Sequence, residues 1–147
     1  MASIFTLIMN GTIPGRFVWQ DDTVAAFLTI APINPGHVLV VPRREIDHWT
    51  DLPEDLAADL MIVSVRIGRA LNDEFTPARV GMIIAGLEVP HAHMHLIPFN
   101  VESELSFSRA STDVAAAEFD AVADRIRTRL TAMGYGENAT RERRANG

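Results

Sequence analysis

The sequence predicts an α+β domain: an antiparallel sheet of about five strands, one main helix packed on it, and a second helix near the C-terminus. Two observations carry this. Short apolar runs separated by turn residues fill most of the first hundred positions, and two segments show the three-and-four spacing of amphipathic helices. One helical segment interrupts the strands and the other follows them, so the strand–helix alternation of a parallel sheet is absent. At 147 residues the chain is long enough to bury a core without cross-links. Residues 1–100 read as the principal domain, and residues 101–147 as a C-terminal extension with one helix and a flexible polar tail.

Each element has its own signal. Arg16–Gln20 and Thr23–Thr29 are strand-like, and Asp21-Asp22 between them suits a tight hairpin. "APINPGH" carries two prolines and a glycine and must turn. "HVLVVP" follows as a third strand of the length expected for a buried one. A helix opens at Pro53, with Glu54 and Asp55 in its first turn, where the dipole favours acids. Leu56, Leu60, Val63, Ile67 and Leu71 form its apolar stripe. "RVGMIIAG" and "HAHMHLIPF" then read as the fourth and fifth strands. A last helix is expected from about Thr112, with Phe119, Val122, Ile126, Leu130 and Met133 on one face and Gly134 ending it. The tail from Tyr135 is polar and aperiodic and is expected to be loose. Its "NAT" matches a glycosylation acceptor, which means little without a secretory signal.

Composition excludes several function classes. There is no cysteine, hence no disulfide framework, thiolate zinc site or cysteine nucleophile. A reducing compartment fits, and the cytoplasm is the expected location. "MASIFTLIMNG" lacks a basic n-region, and Thr6 and Asn10 break its apolar run. No apolar run approaches the ~20 residues of a membrane span, so no membrane partner is expected. Net charge is −6 with both signs interspersed, unlike a nucleic-acid-binding surface. A small anion held by backbone amides and a few side chains stays open.

The most informative stretch is "GLEVPHAHMHLIP", Gly86 to Pro98. Of five histidines in the chain, three fall here at alternate positions: His91, His93 and His95. On a strand, alternate side chains share a face. His91, His93, His95 and Ile97 would then line one surface, while Ala92, Met94, Leu96 and Pro98 pack inward. Incidental surface histidines are the plainest reading. Metal binding is a second, with Glu88, His37 and His48 as further ligand candidates. Residues two apart on a strand are ~6.6–7 Å apart, however, and zinc with bonds of ~2.0–2.1 Å cannot easily gather three from one straight strand. Catalysis is the third: neutral imidazole attacks phosphorus near pH 7, provided an acceptor holds its other ring nitrogen.

This stretch resembles the histidine-triad (HIT) signature, His-x-His-x-His followed by two apolar residues. "IFTLIMNGTIP", "FVWQDDTVAAFLTIAP" and "GHVLVVPRREIDHW" resemble further family segments in the same order, so the likeness runs from Ser3 to Phe99. It implies a HIT-like fold, with residues 1–100 as the HIT domain. It also implies a nucleotide hydrolase or transferase cleaving a bond to the α-phosphate of a nucleoside phosphate: a phosphoramidate, a nucleotidyl anhydride or a dinucleoside polyphosphate. By the family pattern His93 attacks and carries the nucleotide, His95 contacts α-phosphate oxygens, His91 orients the nucleophile, and His37 belongs to the same cluster. Gly86 and Val89 sit where the family brings backbone amides near phosphate. Phe5, Ile8, Ile13, Phe27 and Ile30 match positions that enclose base and ribose, although several of these apolar residues are expected to be core.

Three positions depart from the pattern. Thr29 stands where many relatives carry an acid that grips the ribose, and it offers a hydroxyl without a bidentate grip. Leu87 replaces a glutamine and Glu88 a small hydroxyl residue. Glu88 is a candidate general acid or a contact for a cationic leaving group, and equally a solvent-facing side chain. "GMIIAG" lacks the customary polar residue. Some relatives hold zinc with two N-terminal cysteines plus histidines; Ser3 and Thr6 occupy those positions here, so neither metal nor cofactor is expected. The resemblance further implies a purine nucleotide, adenine favoured, as ligand, and a homodimer in which the sheets join. The stripe around Leu60, Val63 and Ile67 is equally a dimer contact or core, and Trp49 and Phe107–Ser111 are candidates for completing a partner's site. A non-catalytic nucleotide-binding protein of the same fold is the alternative.

Overall fold

Strands β1 (Phe17–Gln20), β2 (Val24–Leu28) and β3 (Val38–Pro42) are buried at every position, which is why they read as unbroken apolar runs rather than alternations. Both faces of these three strands are covered. Val24, Ala26, Leu28, Val38 and Val40 point into the larger core beneath two helices. Ala25, Phe27, Leu39 and Val41 point into a smaller one beneath a short N-terminal helix. The computed structural model describes residues 1–142. In chain order the remaining elements are α1 (Ile4–Met9), α2 (Glu54–Phe75), β4 (Arg79–Ile83), β5 (Met94–Phe99) and α3 (Ala116–Leu130). The five strands form one antiparallel sheet in the order β1-β2-β3-β5-β4, as the α+β reading expects.

Local chemistry sets the connections. Asp21 closes the β1–β2 hairpin: its Oδ1 accepts from the amides of Thr23 and Val24, each at 2.8 Å, and its Oδ2 accepts from Trp19 Nε1 at 2.8 Å. Helix α2 starts after Pro53 and ends at Thr76, whose left-handed φ of 44° terminates it before Pro77. Its stripe of Leu56, Leu60, Val63, Ile67 and Leu71 is buried in the main core. The choice between core and dimer contact for that stripe therefore falls to core. Met61, Ile62 and Val65 are the exposed apolar residues of this helix.

Two expectations need correction. Helix α3 begins at Ala116, not near Thr112: the preceding segment is drawn aside by a bond from Ser111 N to Pro32 O. The tail is not loose through residue 142. Gln20 lies on the outer edge of β1 and is fully buried, so its polar groups require partners. Its amide donates to Asn138 O at 2.9 Å, and Asn138 Nδ2 donates to Gln20 O at 3.1 Å. Its side chain donates to the carbonyls of Thr140 and Glu142. Asn138 is thereby engaged and is no free glycosylation acceptor. The part of the tail beyond residue 142 lies outside the described residues. Gly134, with φ of 99°, breaks the helix ahead of this segment as expected. Among the described residues no helix is long and apolar enough to cross a membrane.

Candidate functional site

The fifth strand is shorter than the sequence suggests. Pairing with β4 runs only as far as Ile83↔His95 and pairing with β3 as far as Val40↔Met94, so His91 and His93 precede the strand. A tight turn from His91 N to Val89 O, and a bond from Ala92 N to Ile46 O, hold this approach segment instead. The alternation still separates the side chains, with Met94 and Leu96 in the main core. The histidine side is not an open surface, however. His91 and Ile97 are fully buried and His93 is 7% exposed. Helix α1 covers the two rings: Phe5 meets His91 and His93 edge-on, with centroids 5.8 and 4.8 Å away.

Backbone groups assign the ring tautomers. The nitrogen His93 Nδ1 lies 2.7 Å from His91 O; a carbonyl only accepts, so Nδ1 carries the hydrogen and Nε2 keeps its lone pair. His37 Nδ1 accepts from Ile33 N at 3.0 Å, so His37 Nε2 donates to His95 Nδ1 at 2.9 Å. His95 is left with its hydrogen on Nε2. His93 and His95, with ring centroids 4.8 Å apart, therefore present opposite chemistry: a lone pair from one and an N–H from the other. Burial favours the neutral form of all four. It pushes His37 down to about 3, with the nearby His95 adding to the effect, and His95 down to about 4, with His93 adding. Burial also lowers His91 and His93 below the ordinary 6.5, against the opposing pull of their hydrogen bonds to backbone carbonyls.

His37 reaches its place through Gly36, whose φ of 90° favours glycine; a Cβ there would come within 3.1 Å of the Phe75 and Pro98 side chains. His37 also lines a cavity of about 280 Å³ between the β2–β3 loop and α3, together with Thr29, Ile33, Asn34, Phe119 and Val122.

The other sequence candidates fall in several environments. Phe5, Ile8, Phe27 and Val89 come together in the smaller core cluster beside the triad, with Phe5 and Phe27 5.7 Å apart. Ile13 and Thr29 are half-buried, and the Thr29 hydroxyl accepts from Ala31 N. Ile30 and Leu87 are 79% and 96% exposed, and Glu88 is exposed in the loop before the triad, near enough for its charge to act on His93. Gly86 has φ of 81°, and nothing lies within 4 Å of a Cβ there. His48 is turned to Thr50. Trp49 is exposed on a 3-10 turn, whereas Phe107 packs edge-on at 4.8 Å against His95 of its own chain. Sequence reasoning missed Ser3, Glu45, Pro42 and Ile33 as partners of these imidazoles. Two act through backbone atoms, which no side-chain pattern reveals.

A family model for the HIT domain matches residues 10–101. The protein named "Protein hit" from Bacillus subtilis is 37% identical over 100 residues, covering 65% of this chain and 69% of that protein. Adenosine 5'-monophosphoramidase hnt1 from Schizosaccharomyces pombe is 29% identical over 132 residues, 88% of this chain and 99% of that one. Among solved structures, a zinc-bound histidine triad family protein from Mycobacterium smegmatis superposes with a TM-score of 0.77 at 26% identity, covering 91% of this chain and 96% of its own.

Proposed function

This chain belongs to the HIT family, and from that premise we propose that it is a nucleotide hydrolase or nucleotidyl transferase working through a nucleotidyl-histidine on His93. The observation that carries the reading is the pair of opposed ring nitrogens. His93 Nε2 offers its lone pair to the α-phosphorus, and His95 Nε2–H meets the oxygens on which charge develops. Attack forms a P–N bond to His93 and breaks the bond from phosphorus to the leaving group. Glu88, at the rim, is our choice for the group that protonates or binds that leaving group. Water or another acceptor then attacks phosphorus, releases the nucleotide and returns the lone pair to His93.

In this reading Phe5, Ile8, Ile13, Phe27 and Ile30 enclose base and ribose, Thr29 meets a ribose hydroxyl, and Gly86, Leu87 and Val89 flank the phosphate. His91 and His37 orient the reacting pair. Adenine is the favoured base and a phosphoramidate the favoured substrate, supported by the yeast relatives named adenosine 5'-monophosphoramidase. The reaction takes place in the cytoplasm in this reading, a compartment that a cysteine-free chain suits, with neither nucleic acid nor membrane as partner.

The test is intact-protein mass spectrometry on samples quenched soon after mixing with adenosine 5'-phosphoramidate, an adenylyl anhydride or a dinucleoside polyphosphate. A transient, acid-labile adduct of one nucleotide mapping to His93 is expected. Binding with neither adduct nor product would favour the non-catalytic alternative, for which the exposed Leu87 and Glu88 are the motive.

We also infer a homodimer. The outer edge of β1 is occupied by Asn138, which among the described residues leaves β4 as the edge without a neighbouring strand. Helix α3 packs against α2 and β1, and α2 also packs on β4; Met61 and Val65 of α2 and Met82 of β4 are exposed. Met61→Glu/Val65→Glu is expected to shift the protein to monomer in analytical ultracentrifugation while leaving it folded. An unchanged sedimentation coefficient would rule out this face.

A further inference from the structure

A zinc ion in one structural relative raises the question of whether this fold needs a metal next to its triad. The residues here answer through their own bonding. His91 Nε2 lies 2.7 Å from Pro42 O, so it carries the hydrogen, and Nδ1 accepts from the Ser3 hydroxyl at 2.6 Å. Both ring nitrogens are thus committed within a fully buried side chain, and no lone pair remains for a metal. Glu45 closes the arrangement: its Oε1 accepts from Ser3 N and, at 2.6 Å, from the Thr6 hydroxyl. The Ser3 hydroxyl also caps α1 by accepting from Thr6 N at 3.1 Å. Two hydroxyls, one carboxylate and an imidazole with no free nitrogen do not make a zinc site.

They do make a chain of bonds that ends at the candidate nucleophile. The carbonyl of His91 takes the Nδ1 hydrogen of His93, and so decides which His93 nitrogen is free. The position of that carbonyl depends on how the His91 ring is held, at one end by Pro42 and at the other by Ser3. The same capping serine seats α1, which brings Phe5 onto both rings.

We propose that Ser3, braced by Glu45, is a positioning residue for His93: through the His91 ring and carbonyl it fixes the nucleophile's tautomer and aim without a metal. The inference rests on the role given to His93 above and adds that the N-terminal helix cap belongs to the catalytic apparatus. Ser3 touches no reacting atom. Its effect falls on the competence of the bound state, hence on kcat more than on KM.

The experiment compares wild type, Ser3→Ala, Ser3→Thr and Glu45→Gln, by steady-state kinetics with adenosine 5'-phosphoramidate and by ¹⁵N spectra of the histidine rings. Ser3→Ala is expected to lower kcat by about 10- to 100-fold with little change in KM. Ser3→Thr, which keeps the hydroxyl, should recover most of the loss, and Glu45→Gln should fall between. In the spectra, wild-type His93 should be the Nδ1–H form, and Ser3→Ala should give a mixture of tautomers.

The spectra need no turnover, so they judge the positioning claim even where the wild type proves inactive, an outcome that would instead remove the enzymatic reading. Wild-type kcat in Ser3→Ala together with an unaltered His93 spectrum would overturn the proposal. So would a loss that Ser3→Thr fails to recover, since that would be the mark of a detached helix. Zinc chloride added to the purified protein is expected to leave the His91 resonances in place; stoichiometric zinc uptake that shifts them would also overturn it.

Discussion

His93→Ala is expected to abolish the covalent adduct and to lower turnover of adenosine 5'-phosphoramidate by at least about 10⁴-fold, the scale on which loss of a nucleophile is felt elsewhere. No other imidazole of the cluster can take over. The His91 ring is bonded at both nitrogens, the His37 ring likewise, and His95 faces the site with an N–H. Alanine leaves the His91 carbonyl without its donor, a cost of about 1–3 kcal/mol where water does not replace it, which an intact fold can bear. Nucleotide binding should persist in part, because Phe5, Ile8, Phe27 and Val89 are untouched. Calorimetric titration with AMP beside the kinetic assay checks both halves. A variant that retains most of its turnover would sink the assignment of His93 as nucleophile.

The sheet, both long helices and the spacing of the triad were legible in the sequence, because each is written in side-chain periodicity. Val24–Leu28 and Val38–Pro42 announce themselves as apolar runs, and Leu56 to Leu71 as a stripe. What stayed hidden has a common physical origin. The late start of β5 at Met94 is set by where its neighbours stop pairing, and that is not local to "HAHMH". The docking of Asn138 depends on the buried polar groups of Gln20, more than a hundred positions earlier. The tautomers depend on the carbonyl of His91 and the amide of Ile33, atoms that every residue carries. Ser3 and Glu45 matter only because the fold brings a helix cap and a loop onto one buried ring.

The same burial that arms His93 makes the fold acid-sensitive. In the unfolded chain a histidine titrates near 6.5, whereas in the fold His95 titrates near 4 and His37 near 3. Between 6.5 and those lower values the unfolded state binds protons that the folded state refuses, so stability falls as pH falls. Each such group costs up to about 1.4 kcal/mol per pH unit, and this pair about twice that, between roughly pH 6 and pH 5. His91 and His93, also lowered by burial, act in the same direction. The lowered carboxyls of Glu45, held by Thr6 and Ser3, and of Glu104, held by backbone amides, add destabilisation below the ordinary carboxylate range. Urea denaturation from pH 7 to pH 5 should therefore show a steep loss.

His37→Asn isolates one contribution, since an asparagine oxygen can accept from Ile33 N and its amide can donate to His95. The slope between pH 6 and pH 5 should then fall by about 1.4 kcal/mol per pH unit, one proton's share. A wild-type stability that stays level from pH 7 to pH 5 would mean that these rings are protonated in the fold. His93 would then lack the lone pair on which the chemistry depends, so the acid limb of stability and the nucleophile stand or fall on the same burial.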